Sequence, residues 1–230
     1  MTAGPTREAI DAARFLSNPS TGKMGYALAA EALARGAEVT LISGPTHLVP
    51  PHGVHLVRVS TAEEMFTATL NQAQGADLVL KAAAVADYRP EERARGKIKK
   101  ETLRRQALSA ASVDRAIALR LVPTPDILEE IGRRKKPGQI LVGFAAETGD
   151  LEANARKKLE KKNLDLIVAN RIGEEGEGFE ADTNRALAVD RNGRTTELPL
   201  MTKGEMARAI LDLAERLFPE RAAAKGGGSA

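Results

Sequence analysis

Apolar runs rich in branched residues recur along this chain with helical patterns between many of them. The runs fall at Glu38–Ser43, Val54–Val59, Asp77–Ala83, Gln139–Ala145 and Leu164–Ala169. The helical patterns cover Gly22–Arg35, Ala62–Gln74, Pro125–Arg134 and Leu151–Lys162. Runs that are apolar on both faces need cover on both sides. Helices that join them supply it, and also give the crossover that parallel pairing requires. The expected fold is therefore α/β: a Rossmann-like, mainly parallel sheet with helices on both faces. Ser60 with Glu63 fits a capping box opening the second helix. Beyond Asn170 the pattern changes. Arg185–Asp190 and Arg194–Leu200 flank Arg191-Asn192-Gly193, which predicts a C-terminal β-hairpin with a tight Asn-Gly turn. Thr202 and Glu205 then cap a last helix to about Phe218. Residues 1–220 form the expected domain, and 221–230, ending in Gly226-Gly227-Gly228-Ser229-Ala230, read as a disordered tail.

Composition narrows the chemistry. A net charge of +3 on 230 residues is too small an excess to point to nucleic acid, because acidic and basic residues are interspersed. With no cysteine there is no disulfide framework and no thiolate nucleophile. His47, His52 and His55 share one loop-to-strand region, so a zinc site is not expected. No apolar run reaches membrane-spanning length and no signal-peptide pattern opens the chain, so the expected location is cytoplasmic.

Two segments carry more chemistry than the rest. Ser17-Asn18-Pro19-Ser20-Thr21-Gly22-Lys23-Met24-Gly25 places small residues, hydroxyls, an amide and a lysine just before a helical pattern. Such a segment offers backbone N–H groups and a helix N-terminus to an anion. It matches neither common phosphate loop: there is no G-x-G-x-x-G, and Met24 stands where the other template needs Ser or Thr. The second segment, Tyr88–Leu119, opens with the charged run from Arg89 to Lys100. An insertion of this length in a compact α/β domain reads as a lid, a binding loop or a dimerisation arm, against the blander reading of a solvated loop.

Several segments together resemble a known family. They are Ala3-Gly4-Pro5-Thr6-Arg7-Glu8, Arg14-Phe15-Leu16-Ser17-Asn18 with Ser20 to Gly25, and Ala82-Ala83-Ala84-Val85-Ala86-Asp87-Tyr88. Lys97-Ile98-Lys99-Lys100, Pro125-Asp126-Ile127, Val142 to Thr148 and Lys161-Lys162-Asn163-Leu164-Asp165 complete the set. In this order they resemble the phosphopantothenate–cysteine ligase domain (phosphopantothenoylcysteine synthetase) of the bacterial bifunctional coenzyme A biosynthesis protein.

The resemblance implies a two-step ligation. The carboxylate of 4′-phosphopantothenate attacks the α-phosphorus of CTP, leaving an acyl-cytidylate and pyrophosphate. The amino group of cysteine then displaces CMP and forms the amide. No protein nucleophile is needed. The implied cofactor is Mg²⁺ or Mn²⁺ with unknown ligands, and the implied assembly is a homodimer. Neither nucleic acid nor membrane is an expected partner.

Residue roles come from the same resemblance. Asn18 would donate to the activated acyl phosphate, with Ser20 and Thr21 beside it on the substrate. Asp87 would bind CTP, where its position alone suggests only a cap at a strand's carboxyl end. Ala82 and Ala83 would let the nucleotide approach the backbone. Pro125, Asp126, Ile127 and Leu128, read as a helix start with proline in its first turn, would lie against the nucleotide, as would Phe144. Lys158 and Lys162 share a helical face, ordinarily just solvated, and would hold the nucleotide. Lys97 would act in catalysis and nucleotide binding from a flap, about residues 88–120, that also meets the dimer partner.

The chain also departs from the family pattern. Only Met1 and Thr2 precede the first loop, where relatives have a full strand preceded by a flavin-dependent decarboxylase domain. FMN and decarboxylation are therefore not expected here. Lys81 puts a charge in a run that is usually apolar. Ala12 and Ala13 stand where Pro-Val is usual. Two rivals remain: a Rossmann-like NAD(P)-dependent reductase and an inactive nucleotide-binding module. The first lacks the glycine fingerprint and a Tyr-x-x-x-Lys pair, since Ala30 and Glu92 follow Tyr26 and Tyr88 at that spacing.

Overall fold

The expected strands form, each trimmed or shifted by a residue or two. The computed structural model describes residues 1–99, 118–147, 149–171 and 181–226. Among them an eight-stranded sheet runs β12-β11-β10-β9-β6-β1-β4-β5. Its strands are β1 (Thr2–Ala3), β4 (Thr40–Ser43), β5 (His55–Arg58), β6 (Leu78–Lys81), β9 (Ile140–Glu147), β10 (Leu166–Arg171), β11 (Thr183–Asp190) and β12 (Thr195–Thr202). The strands from β10 through β5 pair in parallel, and β11 and β12 add an antiparallel hairpin to the same sheet. The hairpin forms, but its loop is the three-residue Arg191-Asn192-Gly193, closed by Asp190 N–H donating to Arg194 O at 3.0 Å. Only Gly193 takes a positive φ, 82°, whereas the expected tight Asn-Gly turn would need one at Asn192 as well.

The helices are α1 (Lys23–Ala34), α2 (Ala62–Ala73), α3 (Ile127–Arg134), α4 (Leu151–Lys161) and α5 (Lys203–Gly226). One apolar core joins α1 and α5 to one face of the sheet through Leu28, Leu80, Val142 and Ile210. The other joins α2, α3 and α4 to the opposite face through Met65, Ile131, Leu141 and Leu159. Among the described residues no helix is long and apolar enough to cross a membrane.

The first strand is short but central. Thr2 and Ala3 pair with Ile42 and Ser43 on one side, and Thr2 with Lys81 on the other. Backbone bonds prolong the ladder past the strand: Ile42 N–H donates to Met1 O at 2.8 Å, Gly44 N–H to Ala3 O at 2.9 Å and Ala84 N–H to Gly4 O at 3.0 Å. The helix α1 comes close enough to this strand that a Cβ on Gly25 would stand 2.5 Å from Ala3 Cβ. Glycine is required there by the approach of helix to strand.

Several expectations need correction. The capping box of α2 is Thr61 with Glu64, not Ser60 with Glu63. Arg7 N–H donates to Ser60 O at 2.7 Å, which ties Ser60 to the first loop, and the buried Glu8 accepts from Ala62 N–H at 2.8 Å. Pro125 stands before the α3 N-cap, which is Asp126, so the proline lies outside the helix. The last helix continues past Phe218 to Gly226, in keeping with the helix-forming Ala222-Ala223-Ala224. Residues 227–230 of the expected tail lie outside the described residues.

Two small hairpins escape sequence reading. β2 (Arg7–Ala9) pairs with β3 (Phe15–Ser17), and β7 (Tyr88–Pro90) with β8 (Leu121–Pro123). The second clamps the base of the flap. The flap's first limb is also held to the first hairpin, since Ala94 N–H donates to Ile10 O at 3.0 Å and Ile98 N–H to Asp11 Oδ2 at 3.1 Å. Arg14, with help from the Ala13 N–H, holds the Asp11 carboxyl far below the usual carboxylate range. Flap residues 100–117, Lys100 among them, lie outside the described residues, as does Thr148.

A prediction follows from Gly132 in α3. Ala is worth about 1 kcal/mol over Gly inside a helix. A Cβ here, however, would stand 1.9 Å from the Lys162 carbonyl oxygen, a backbone atom that cannot rotate away. Overpacking of this kind costs roughly 1–3 kcal/mol. Gly132→Ala should therefore lower stability in urea unfolding. An increase would show that α3 and the end of α4 do not approach this closely.

Candidate functional site

Strand order reverses around β1: the chain runs outward through β4 and β5, then returns to β6 on the other side. Open α/β sheets bind ligands at the carboxyl edge beside such a reversal, where the loops of neighbouring strands diverge. Here the loops after β1 and β6 stay joined past the sheet. Thr6 N–H donates to Ala84 O at 3.3 Å, and Ala83 N–H to Thr2 Oγ1 at 3.2 Å. Asn18 reaches the same point, its Nδ2 donating to Ala84 O at 3.0 Å. Gly22, with φ 82°, starts α1. Ser20 Oγ accepts from Gly22 N–H at 3.4 Å and Thr21 Oγ1 from Lys23 N–H at 3.5 Å. The Lys23 ammonium is engaged by Asp182 at 2.6 Å.

Next to this edge, between the sheet and helices α3 and α4, lies a cleft of about 180 Å³. Its inner wall is Lys81, Ile127, Leu128, Phe144 and Ile167; Asp87, Asp126, Lys158 and Lys162 bring the charge. Val85, Ala86, Thr124 and Pro125 complete the lining. Ile127 and Leu128 reach this wall from the first turn of α3, and Ile167 from the face of β10 that α3 and α4 cover. Phe144, whose neighbours Ile140 and Val142 pack on the opposite face, comes in from the carboxyl half of β9. Thr124 fixes the loop above them: its N–H donates to Asp87 O at 2.9 Å and its Oγ1 to Ala86 O at 2.5 Å.

Each charged group is held in place. Asp126 caps α3 by accepting from Glu129 N–H at 3.0 Å, and binds Lys162 Nζ at 2.7 Å. Burial opposes its ionisation, but the Lys162 ammonium and the Glu129 N–H outweigh burial and keep its pKa below the ordinary value. Lys158 Nζ lies 2.6 Å from Glu147 Oε1. That oxygen is buried and lacks a hydrogen bond of good geometry, so the pair is ionic in character. Asp87 is exposed, and its carboxylate has no hydrogen-bond or ion-pair partner among the described residues. Lys81 Nζ donates to Ala83 O at 3.0 Å. Burial first, then the charge of Lys162, brings its pKa down to about 8.

The segment from Lys161 to Asp165 is mostly scaffold. Asn163 adopts φ 53°, turning the chain out of α4, and its Nδ2 donates to Gly132 O at 2.7 Å. Asp165 is buried, accepting from Leu141 N–H at 2.8 Å and pairing with Lys135 at 3.0 Å. These contacts lock the end of α4 against α3, and so set Lys162 opposite Asp126.

The structure thus brings together Asp87, Pro125, Asp126, Ile127, Leu128, Phe144, Lys158 and Lys162 in one cleft. Ala82 and Ala83 follow the end of β6 and do not line the cleft. Asn18, Ser20 and Thr21 lie on the neighbouring loop, joined to that strand end through Ala84. Lys97 is exposed on the first limb of the flap and does not line the cleft. Sequence reading missed Glu147 and Thr124, and left Lys81 without a role. The signal for Lys81 was its place, a cation closing an apolar run at a strand's carboxyl end.

Asp126 invites a paired test of capping against ion pairing. The ion pair is half exposed and worth little to stability, whereas loss of an N-cap costs about 1 kcal/mol. Asp126→Asn should keep the cap and unfold within about 0.5 kcal/mol of the parent; Asp126→Ala should lose about 1 kcal/mol. Equal losses in urea titrations would mean that the charge on Lys162, not the cap, is what stabilises α3.

Residues 1–217 match the model of the DNA/pantothenate metabolism flavoprotein C-terminal domain. The chain is 49% identical over 212 residues to the coenzyme A biosynthesis bifunctional protein CoaBC of Bacillus subtilis, covering 92% of this chain and 49% of that protein. It thus spans about half the length of the curated relatives it matches. A crystal structure of the C-terminal domain of a CoaBC protein superposes with a TM-score of 0.77 at 42% identity, covering 95% of this chain and 94% of that one. A Cab2 mutant in complex with phosphopantothenate-cysteine shares the fold, with a TM-score of 0.75 at 17% identity over 98% of this chain and 87% of the other.

Proposed function

The chain belongs to the DNA/pantothenate metabolism flavoprotein C-terminal domain family, and on that footing we propose that it is a CTP-dependent ligase of coenzyme A biosynthesis. It joins 4′-phosphopantothenate to L-cysteine through an acyl-cytidylate and yields 4′-phosphopantothenoylcysteine, CMP and pyrophosphate. The observation that carries this reading is the cleft beside the strand reversal. There Lys158 and Lys162 stand over an apolar wall that includes Phe144. A polyanion with a flat base fits such a surface: the lysines meet the phosphates, and the wall meets the ring.

In the first step a carboxylate oxygen attacks the α-phosphorus and pyrophosphate leaves. Lys158 and Lys162 exchange their carboxylate partners for phosphate oxygens and stabilise the charge that passes to the leaving group. In the second step the neutral amine of cysteine attacks the acyl carbon, CMP departs and the amine loses a proton. In this reading Asn18 serves the acyl phosphate. One hydrogen of its amide anchors on Ala84 O, and the amide carries a second.

The donor set fits a divalent cation carried in on the triphosphate. Among the described residues no cluster of three or more acidic or imidazole groups forms a cage. Magnesium bound to phosphates needs only one or two carboxylates, however, and Asp87 offers one without a partner. Bound there, Mg²⁺ or Mn²⁺ would offset phosphate charge as the substrate carboxylate approaches. The assembly we propose is a homodimer. The exposed Phe15, Tyr88, Leu119 and Leu121 cluster on and beside the two small hairpins at the flap's base, an apolar surface suited to a second copy.

The deciding assay is pyrophosphate release from CTP and 4′-phosphopantothenate, with and without cysteine. No release in either arm would sink the ligase reading. Asn18→Ala should cut amide formation in single turnover by roughly 10²–10³ while calorimetric CTP affinity stays near the parent's. Equal loss of binding and turnover would remove Asn18 from the acyl-phosphate step. Lys158→Ala should instead weaken CTP binding itself. For the dimer, sedimentation at micromolar concentration should give twice the chain mass, and a fully active monomer would contradict it.

A further inference from the structure

Lys81 is the group in the cleft that the family expectations leave without work. It closes β6, whose other residues, Leu78, Val79 and Leu80, are apolar, and it sits in the ladder between Thr2 and Gly143. Pleat alternation puts it on the face of Val79, the one covered by α3 and α4. A lysine at this position costs desolvation, and an uncharged residue would fill the same wall without that penalty. Its surroundings do little to offset the cost. Lys158 and Lys162 have carboxylates at 2.6 and 2.7 Å. Lys81 has a single backbone acceptor, Ala83 O, and no ion pair among the described residues. An ammonium carries three donors, so two remain for whatever fills the cleft.

We propose that Lys81 is a third cationic ligand for the phosphate chain of the nucleotide, acting with Lys158 and Lys162. This rests on the nucleotide reading given above. The three ammonium groups converge on one cleft, and like charges brought together in a partly buried site repel unless an anion joins them. Asp87 after β6 and Asp126 on α3 act on Lys81 only through space, and Glu147 at the end of β9 is already taken by Lys158. A polyphosphate supplies the missing negative charge.

The arrangement has a consequence in pH. With the cleft empty, burial and the two lysines of α4 outweigh Asp87 and Asp126, and the Lys81 amine gives up its proton near pH 8. Phosphate favours the charged amine and raises that pKa. Binding above pH 8 must then take up a proton, and affinity must fall as pH rises through that value.

The experiment is calorimetric titration of the full chain with CTP at pH 7.0 and 8.5, each in two buffers of different ionisation enthalpy. At pH 8.5 the unmodified protein should take up more than about half a proton per CTP, and at pH 7.0 far less. Lys81→Met keeps side-chain length and removes the charge. It should fold with an unchanged or higher melting temperature, bind CTP about tenfold more weakly at pH 7.0, and lose the proton uptake. No uptake by the unmodified protein at pH 8.5 would overturn the proposal without any substitution being needed. So would a Lys81→Met variant with the parent's affinity and uptake. Failure of the unmodified chain to bind CTP at all would be a different result: it would strike the nucleotide reading itself, and this proposal with it.

Discussion

Between β4 and β6, Thr2 and Ala3 carry the backbone ladder across the centre of the sheet, and the bonds just beyond them set the geometry of the carboxyl edge. Gly4 O and Thr6 N–H fasten the first loop to Ala84, and the same Ala84 carbonyl receives Asn18. The loop after β6 therefore cannot move independently of the loop after β1. Two residues suffice because the strand is bonded on both sides and buried on both faces. Its neighbours supply the hydrogen bonds, and α1 supplies the packing through Gly25. An exposed strand of that length would have neither.

The charges of the cleft are arranged by a second set of contacts, in which much of the energy is structural. Asp165 with Lys135, Asn163 with Gly132, and the close passage of α3 beneath the Lys162 carbonyl leave the end of α4 little freedom. Lys162 and Asp126 meet because two helix termini have been locked together, and their attraction follows from that. A ligand that displaces Asp126 from Lys162 finds the ammonium already in position, so less of the binding energy goes into ordering a long side chain. Glu147 plays the corresponding part for Lys158.

The main alternation was legible in the amino-acid order because each element there is long enough to show its period. The hairpin loop ending in Gly193 and the Thr202–Glu205 box were legible because each is a local code. The two small hairpins were not: three residues on each strand show no alternation, and their partners are other loops. The capping box of α2 was misplaced by one residue because Ser60 and Thr61 each have a glutamate three residues on, and the backbone turns into the helix at Thr61, whose hydroxyl accepts from Glu64 N–H. Pro125 and Asp126 suggested a proline-led helix, but the carboxylate reaches Glu129 N–H and becomes the cap itself.

By itself the amino-acid order determined the class of sheet, the faces of its helices and, by resemblance, most of the residues that share the cleft. Those features depend on periodicity and on short motifs, which survive without coordinates. Tertiary structure alone decided the rest. It showed that a two-residue strand holds the centre, that the family segment around Asn163 serves as scaffold for Lys162, and that Lys81 faces the cleft with only a carbonyl for company. Each of these depends on what lies across a packed interface. Distances between residues far apart in the chain are set by burial and backbone pairing, and no local pattern encodes them.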